Sequence, residues 1–473
     1  MKTKEALNSQ RFGSQGIGSG RRVTRRSFVA SGIKLAALGG IAPLVVPSRV
    51  LGGEEAPSNR ITIGFIGCGE HGIGTNIKGF LKQPDAQLVA VCDVDAERRE
   101  DAKNQIEKQY AEEMSKGSYK GCDAYNDFRE IIDRKDIDAV CISTPDHWHV
   151  IPSIMAAKAG KDVICEKPLS LTISEGRALC DVVQKYKRVF QTASEQRGKT
   201  GFHRMCELVR NGRIGKLKHI EVGLPGGYAI KQAGTDQRPS LVFCDPPKDF
   251  DYEMWLGQTP LAPYCPGRCH WNFRWILDYS GGQFTDFSHH LVDIAQWGNN
   301  TEDTLPVEVE GQGEFPKEGL YNTATKYHCK YKYANGVTMD IISGSSYVRF
   351  EGDQGWIETR NWAKDLKAQP ASILDSQIGA NDIHLFRPPT SPSGGGPEHR
   401  NFLDCVKSRK KCYAHEEIGH RAVAIAHMGN IAMMLGCKLK FDPQKERFID
   451  DDEANNKLSR PMREPWSLTN AIA

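Results

Sequence analysis

Four short clusters in this 473-residue chain combine residue types able to do chemistry. The first is Gly67-Cys68-Gly69-Glu70-His71-Gly72, fed by the apolar run Ile61 to Ile66. In such a Gly-x-Gly-x-x-Gly turn, Gly67 permits a tight reversal, Gly69 lets a pyrophosphate approach the backbone and Gly72 lets the next helix pack on the strand. The phosphate charge then meets free N–H groups at a helix N-terminus. A second apolar run, Leu88 to Cys92, ends in Asp93, whose carboxylate is suited to accept from ribose hydroxyls and to repel a 2′-phosphate. Together they predict a bound dinucleotide, NAD in preference to NADP.

The second cluster, Ser143-Thr144-Pro145-Asp146-His147-Trp148-His149, ends another apolar run, at the edge of the sheet where ligands bind in this architecture. Thr144 and Pro145 are expected on the cofactor side and Trp148 as an apolar wall. His147 is expected beside cofactor or substrate and His149 toward substrate; a packing or capping role is the alternative for each. The third cluster, Glu166-Lys167-Pro168, also follows a strand-like run. Pro168 ends the strand and aims Lys167 across the crevice. An ammonium there can hold a substrate hydroxyl and stabilise its oxygen as hydride moves, or shuttle the proton if its pKa is lowered. A surface Lys–Glu pair is the plainer reading.

The fourth cluster runs from Asp286 to Asp293. On a helix, Asp286, His290 and Asp293 share one face, with His289 beside them. A carboxylate and an imidazole on one face suit polyol binding, with His290 as a general base. Just before it, Trp271, Arg274 and Trp275 offer flat faces and a cation that suit a sugar, and suit core packing equally well. Arg197 either binds substrate or braces a domain boundary. No metal is expected. Cys265 and Cys269, followed by His270, lack the second half of a zinc motif and read as a local disulfide or two free thiols.

The elements that must hold these clusters alternate in kind. Strand-like runs at 61–66, 88–92, 139–143, 162–165 and 189–192 are separated by helical stretches at 72–83, 95–115, 124–133, 149–158 and 172–187. That order predicts a parallel sheet with right-handed crossovers, a doubly wound domain over 59–198. Beyond a helix near 199–211, strands at 218–224, 307–315, 324–333, 337–343 and 346–352 predict an α+β domain over 199–440 with a mainly antiparallel sheet. Helices at 284–297, 398–410 and 416–435 accompany it, the Pro-, Ser- and Gly-rich part of 361–398 reads as a surface excursion, and 441–473 reads as a tail.

Charge separates the first 53 residues from the rest. They carry nine Lys or Arg and one Glu, so the formal net charge of +3 leaves a body of −5, which argues against a nucleic-acid partner. Thr24-Arg25-Arg26-Ser27-Phe28-Val29, followed by an apolar stretch too short and weak for a comfortable membrane span, resembles a twin-arginine export signal. Residues 1–53 are therefore expected to address the export machinery and a periplasmic location, or to stay as a membrane tether if uncleaved. The 14 cysteines are scattered, and Cys68, Cys92, Cys141 and Cys165 sit in apolar surroundings as small hydrophobes.

Taken in order, the glycine turn, Thr144-Pro145, Glu166-Lys167-Pro168 and the Asp286–Asp293 helix resemble the Gfo/Idh/MocA oxidoreductases, the glucose-fructose oxidoreductase and inositol dehydrogenase type, over about residues 59–440. The resemblance implies an N-terminal Rossmann domain and a C-terminal α/β domain. The open sheet of the second domain would form a substrate wall and a homo-oligomer interface, dimeric or tetrameric. It also implies tightly held NAD(P) and catalytic positions at Lys167, Asp286 and His290, with His289 competing with His290 for the place facing the nicotinamide. The usual run of three glycines before the catalytic helix is Ser280-Gly281-Gly282 here. The expected activity is oxidation of a secondary hydroxyl of a sugar, glycoside or cyclitol by hydride transfer to NAD. Two alternatives stand beside it: NAD-dependent glycoside hydrolysis through transient oxidation at C3, with His147, His149 or His289 as the extra base, and a non-catalytic carbohydrate-binding role.

Overall fold

The computed structural model describes residues 59–473 apart from 233–236 and 390–393. The leader and its paired arginines lie outside the described residues. Six strands, β1 (Ile61–Ile66), β2 (Ala86–Cys92), β3 (Asp123–Tyr125), β4 (Ala139–Ile142), β5 (Asp162–Cys165) and β6 (Phe190–Thr192), form a sheet in the order β3-β2-β1-β4-β5-β6. Every pairing is parallel. This is the Rossmann order, and its direction reverses between β1 and β4, which opens a crevice at their carboxyl ends. The strands β4 and β5 are buried throughout, as a sheet with helices on both faces requires.

The sequence reading places a helix over 124–133, where the structure has β3 followed by a helix Phe128–Asp133. β3 is a three-residue edge strand with no buried residue, so its conformation comes from pairing with Ala90–Cys92 and not from any apolar pattern. The predicted helix 95–115 is two, Ala96–Gln109 and Ala111–Ser115, meeting at Tyr110.

A second sheet contains β7 (Leu217–Leu224), β8 (Glu308–Glu314), β9 (Lys326–Lys332), β10 (Thr338–Ser343), β11 (Tyr347–Gly352), β12 (Trp356–Arg360), β13 (Asp365–Gln369), β14 (Lys438–Asp442) and β15 (Arg447–Phe448). Their order is β13-β12-β11-β7-β10-β9-β8-β14-β15. Only β7 and β10 pair in parallel. In β9 the period-two alternation is plain: Tyr327, Cys329 and Tyr331 face the core and Lys326, Lys330 and Lys332 face out. The inner face packs on the helices Gly282–Asn299 and Glu416–Leu435.

The two cores are laced together by late segments of the chain. The helix Pro397–Ser408 buries Phe402, Leu403 and Val406 in the Rossmann core, not in that of the second sheet. Its His399 presses where a Cβ on Gly79 would lie 2.4 Å from the ring, so only glycine fits there. The segment read as a tail carries β15 and a terminal helix, Leu468–Ile472, whose carbonyls at Ala471 and Ile472 accept from Lys158 at 2.9 and 3.0 Å. The excursion likewise contains an edge strand, β13.

Candidate active site

The crevice at the switch point is a cavity of about 610 Å³. Its floor is the glycine turn. Gly67 has φ +96, and a Cβ on it would lie 2.6 Å from the Ser143 carbonyl, so the turn can press on β4 only without a side chain. A Cβ on Gly72 would meet the Gly67 carbonyl at 2.5 Å. At Gly69 the only neighbour is the end of Arg98, which leaves the backbone open toward the cavity. The chain then enters a π-helical turn, Gly72–Ile77, continued by an α-helical one, Lys78–Leu81.

Asp93 ends β2 beside this turn. Its Oδ2 accepts from the Cys68 N–H at 2.6 Å and its Oδ1 from the Asp95 N–H at 2.9 Å. A carboxylate offers about four lone-pair sites, so acceptors remain for two ribose hydroxyls. The cradle, the backbone left open at Gly69 and this carboxylate fit a dinucleotide. Cys68 contributes only its backbone, because its thiol is buried against the Cys92 carbonyl.

The end of β5 supplies the next layer. Glu166 is buried and accepts from Asn76 Nδ2 at 2.9 Å, with His71 Nε2 at the same distance. Burial would raise its pKa, but the His71 and Lys167 charges and the hydrogen bonds outweigh it and hold the carboxyl well below its ordinary range. The same Glu166 charge raises the pKa of His71. Lys167, one residue on, crosses to the second domain, where its Nζ lies 2.5 Å from Asp286 Oδ1. Arg274 Nε stands 3.5 Å from the other Asp286 oxygen. Burial opposes both charges, yet the pairing prevails: the Asp286 pKa is lowered and that of Lys167 raised.

His290, one turn beyond Asp286 on the helix Gly282–Asn299, lines the cavity with Lys167, Asp286 and Arg274. Burial, helped by the Lys167 charge, pushes its pKa well below the ordinary value, so the ring is neutral. His289 is not among the residues lining the cavity; it is buried with Nδ1 unpartnered, its pKa lowered by burial to about 4. That decides which imidazole faces the site.

Three further residues take the structural one of the two roles open to each. His147 turns away from the cavity and binds the Trp255 carbonyl through Nε2 at 2.8 Å, and burial lowers its pKa to about 3. His149 sits between the Pro168 carbonyl at 2.6 Å and the Thr144 carbonyl at 2.9 Å, tying the two strand-end clusters together without facing substrate. Arg197 is the brace and not the ligand: it grips Asp293 through two bonds of 2.8 and 2.6 Å and reaches Glu302 at 2.5 Å. Arginine's planar fork matches a carboxylate in this way.

Thr144, Pro145, Glu70, His71, Trp148, Trp271 and Trp275 do line the cavity. Trp148 is held by its Nε1, which donates to the Trp255 carbonyl at 3.0 Å, and by the rings of Phe128 and Trp466. Arg274 lies over Trp271 at 4.5 Å. Several lining residues went unread in the sequence, among them Asp146, Lys199, Phe287 and Trp362. Phe287 had a signal in lying inside the fourth cluster, and so did Asp146, inside the second. Asp146 Oδ2 accepts from Ser280 Oγ at 2.5 Å, and burial, reinforced by Asp286, raises its pKa to about 7. Among the described residues no group of three or more His, Cys, Asp or Glu side chains is placed to hold a metal ion, and Cys265 and Cys269 are free thiols.

A Rossmann sheet with this cradle, joined to a mixed sheet that sends a carboxylate and an imidazole into the same cavity, defines an NAD-binding oxidoreductase architecture. The chain belongs to the Gfo/Idh/MocA oxidoreductase family. The family's NAD-binding Rossmann fold matches residues 61–194 and its C-terminal alpha/beta domain matches 199–468.

Among curated proteins, the alpha-N-acetylgalactosaminidase of Shewanella oneidensis is 31% identical over 183 residues, 38% of this chain and 39% of that protein. The glycosyl hydrolase family 109 protein 1 of Shewanella sp. strain ANA-3 is 32% identical over 177 residues, 37% of each. These matches span well under half the length of those relatives.

Among solved structures, the aldose-aldose oxidoreductase from Caulobacter crescentus superposes with TM-score 0.58 at 17% identity, covering 81% of this chain and 100% of its own. The WlbA dehydrogenase from Bordetella pertussis, in complex with NADH and UDP-GlcNAcA, gives 0.57 at 14%, covering 81% and 99%. Levoglucosan dehydrogenase with NADH and levoglucosan gives 0.57 at 17%, covering 80% and 99%. At these identities the likeness is one of fold.

Proposed function

We propose that this protein oxidises a secondary hydroxyl of a sugar, glycoside or cyclitol, using NAD held in the Rossmann crevice. The observation that carries the reading is the Lys167–Asp286 pair at 2.5 Å, set in the cavity that begins at the glycine turn. Bound NAD supplies the hydride acceptor. Lys167, kept protonated by Asp286, donates to the substrate oxygen and stabilises the charge that gathers there. His290, a neutral imidazole, takes the hydroxyl proton, so the two roles left open between them are divided by charge state. Asp286, itself paired with Arg274, holds the ammonium in place. The test is reduction of the bound nicotinamide, read at its near-ultraviolet absorbance, on adding a panel of hexoses, glycosides and inositols. Loss of that signal in Lys167→Ala, with the cofactor still bound, is the expected result; full reduction in the variant would sink the assignment.

A second reading, net glycoside hydrolysis by transient oxidation, is favoured by the similarity to the alpha-N-acetylgalactosaminidase and the glycosyl hydrolase family 109 protein of Shewanella and by Asp146. That cycle needs an extra proton acceptor for the carbon next to the oxidised one. His147, His149 and His289 do not line the cavity, whereas Asp146 does, with a pKa near neutrality. Release of nitrophenol from a nitrophenyl hexosaminide without added NAD and without net reduced cofactor would select this reading; reduced cofactor without release would reject it.

The twin-arginine-like leader supports a periplasmic or exported protein, loaded with cofactor before translocation, and cell fractionation decides it. The outer face of the second sheet, with Arg349 over Trp356 at 4.1 Å and Arg360 over Tyr347 at 4.4 Å, supports association into a dimer or tetramer. Light scattering of the full chain tests that.

A further inference from the structure

The turn between β12 and β13 is strained and points into the active-site cavity. Asn361, Trp362 and Ala363 have φ of 49, 56 and 69, three consecutive left-handed residues, none of them glycine. Side chains with a Cβ avoid this region, and a bulky one persists there only where its surroundings force it. Here the turn is closed by Asn361 Nδ2 donating to Asp365 Oδ2 at 2.7 Å and by the Lys364 N–H donating to the Asn361 carbonyl at 3.3 Å. It is seated on Gly201, where a Cβ would lie 2.3 Å from the Ala363 carbonyl.

The outcome is the position of one side chain. Trp362 lines the cavity, its ring centroid 5.7 Å from that of His290 at an interplanar angle of 88° and 5.8 Å from that of Phe287. Lys199 Nζ rests 5.3 Å from the same centroid, so the indole's π face already accepts a positively charged partner. Trp362 is half-buried, with part of its surface left open.

We propose that Trp362 is the platform on which the carbon face of a pyranose ring rests while a ring hydroxyl is held between Lys167 and His290. The C–H bonds on one face of a pyranose are positively polarised and flat enough to meet the negative face of an indole. The polar edge of the sugar is then left to Lys199, Gln196 and Glu195, which line the same wall. The strain at 361–363 is thereby tied to substrate choice: ring sugars over open-chain polyols. The proposal rests on the hydroxyl-oxidising reading above.

The experiment compares NAD-loaded full-length protein with Trp362→Ala and Trp362→Phe, using methyl α-D-glucopyranoside and a panel of methyl hexopyranosides against sorbitol. Cofactor content and circular dichroism establish that each variant is folded and loaded. Saturation-transfer NMR reads binding, and nicotinamide absorbance reads oxidation. Trp362→Ala is expected to weaken pyranoside binding about tenfold and Trp362→Phe by less, with sorbitol little changed, as the loss of one aromatic stack predicts. Equal losses for pyranosides and sorbitol, or no loss for either, overturn the platform, as does absence of pyranoside binding to the parent protein. The oxidoreductase reading falls separately, if no member of the panel reduces the cofactor in a Lys167-dependent way.

Discussion

Lys167 Nζ lies 2.5 Å from Asp286 Oδ1, although the two residues are 119 positions apart and belong to different sheets. The contact joins the end of a Rossmann strand to the face of a helix from the second domain. It places a fixed positive charge in the cavity that begins at the glycine turn.

Removing that charge tests its role directly. Lys167→Ala should lower the rate of nicotinamide reduction by about 10²- to 10⁴-fold, the range of a positioned acid or base, with NAD content unchanged. Asp286→Asn should lower the rate too, by loosening the ammonium, and should bring the Lys167 pKa down. Single-turnover absorbance measures the first effect and the pH profile of the variant the second.

The adjacent histidines should separate cleanly. His290→Ala is expected to lose about 10²-fold or more in turnover because His290 faces the cavity. His289→Gln alters a buried ring outside it and should shift Tm with little change in rate per folded molecule. A rate loss for His289→Gln matching that of His290→Ala would reverse the assignment.

Cofactor choice should turn on Asp93. Asp93→Ser removes an acceptor that also holds the Cys68 and Asp95 N–H groups. Charge-assisted hydrogen bonds contribute about 1.5–3 kcal/mol, so NAD affinity should fall roughly 10- to 100-fold while discrimination against NADP narrows. Titration of stripped protein with both cofactors checks it.

Asp146 supplies the pH dependence. Its pKa is raised to about 7, chiefly by burial, against roughly 4 in the unfolded chain. The folded state therefore favours the protonated carboxyl. The contribution of Asp146 to stability is greatest below the unfolded value, falls as pH rises from about 4 to 7, and levels off above that. A limb near pH 7 in kcat/KM should accompany it, because ionisation puts a second carboxylate beside Asp286. Asp146→Asn should remove both features; a limb that persists belongs to another group.

Arg197 should behave as structure, not as a ligand. Its side chain is 4% exposed and that of Asp293 is 1% exposed, so Arg197→Ala strands a buried carboxylate. The expected loss is about 3–5 kcal/mol of stability, read as a marked drop in Tm. Substrate affinity of the remaining folded protein should be unchanged.

The cofactor half of the site was legible in the sequence because it is built from neighbours in the chain. A strand, a glycine turn and a helix must follow one another, and the glycines at 67 and 72 are required by backbone contacts that allow no Cβ. Lys167 at the end of β5 and Asp286 with His290 one helical turn apart were legible for the same reason. The period of a strand or a helix determines which residues share an edge or a face.

The tertiary structure decided what local pattern leaves undetermined. Which of His289 and His290 faces the cavity depends on how the helix Gly282–Asn299 is rotated against its neighbours. His147, His149 and Arg197 were diverted to carbonyls and a carboxylate contributed by distant segments. Trp362 had no signal at all, since its place in the cavity comes from a left-handed turn propped on Gly201, 161 residues earlier in the chain. Residue types and short spacings limit the chemistry available, and long-range packing selects which groups are desolvated, paired and aimed at one another.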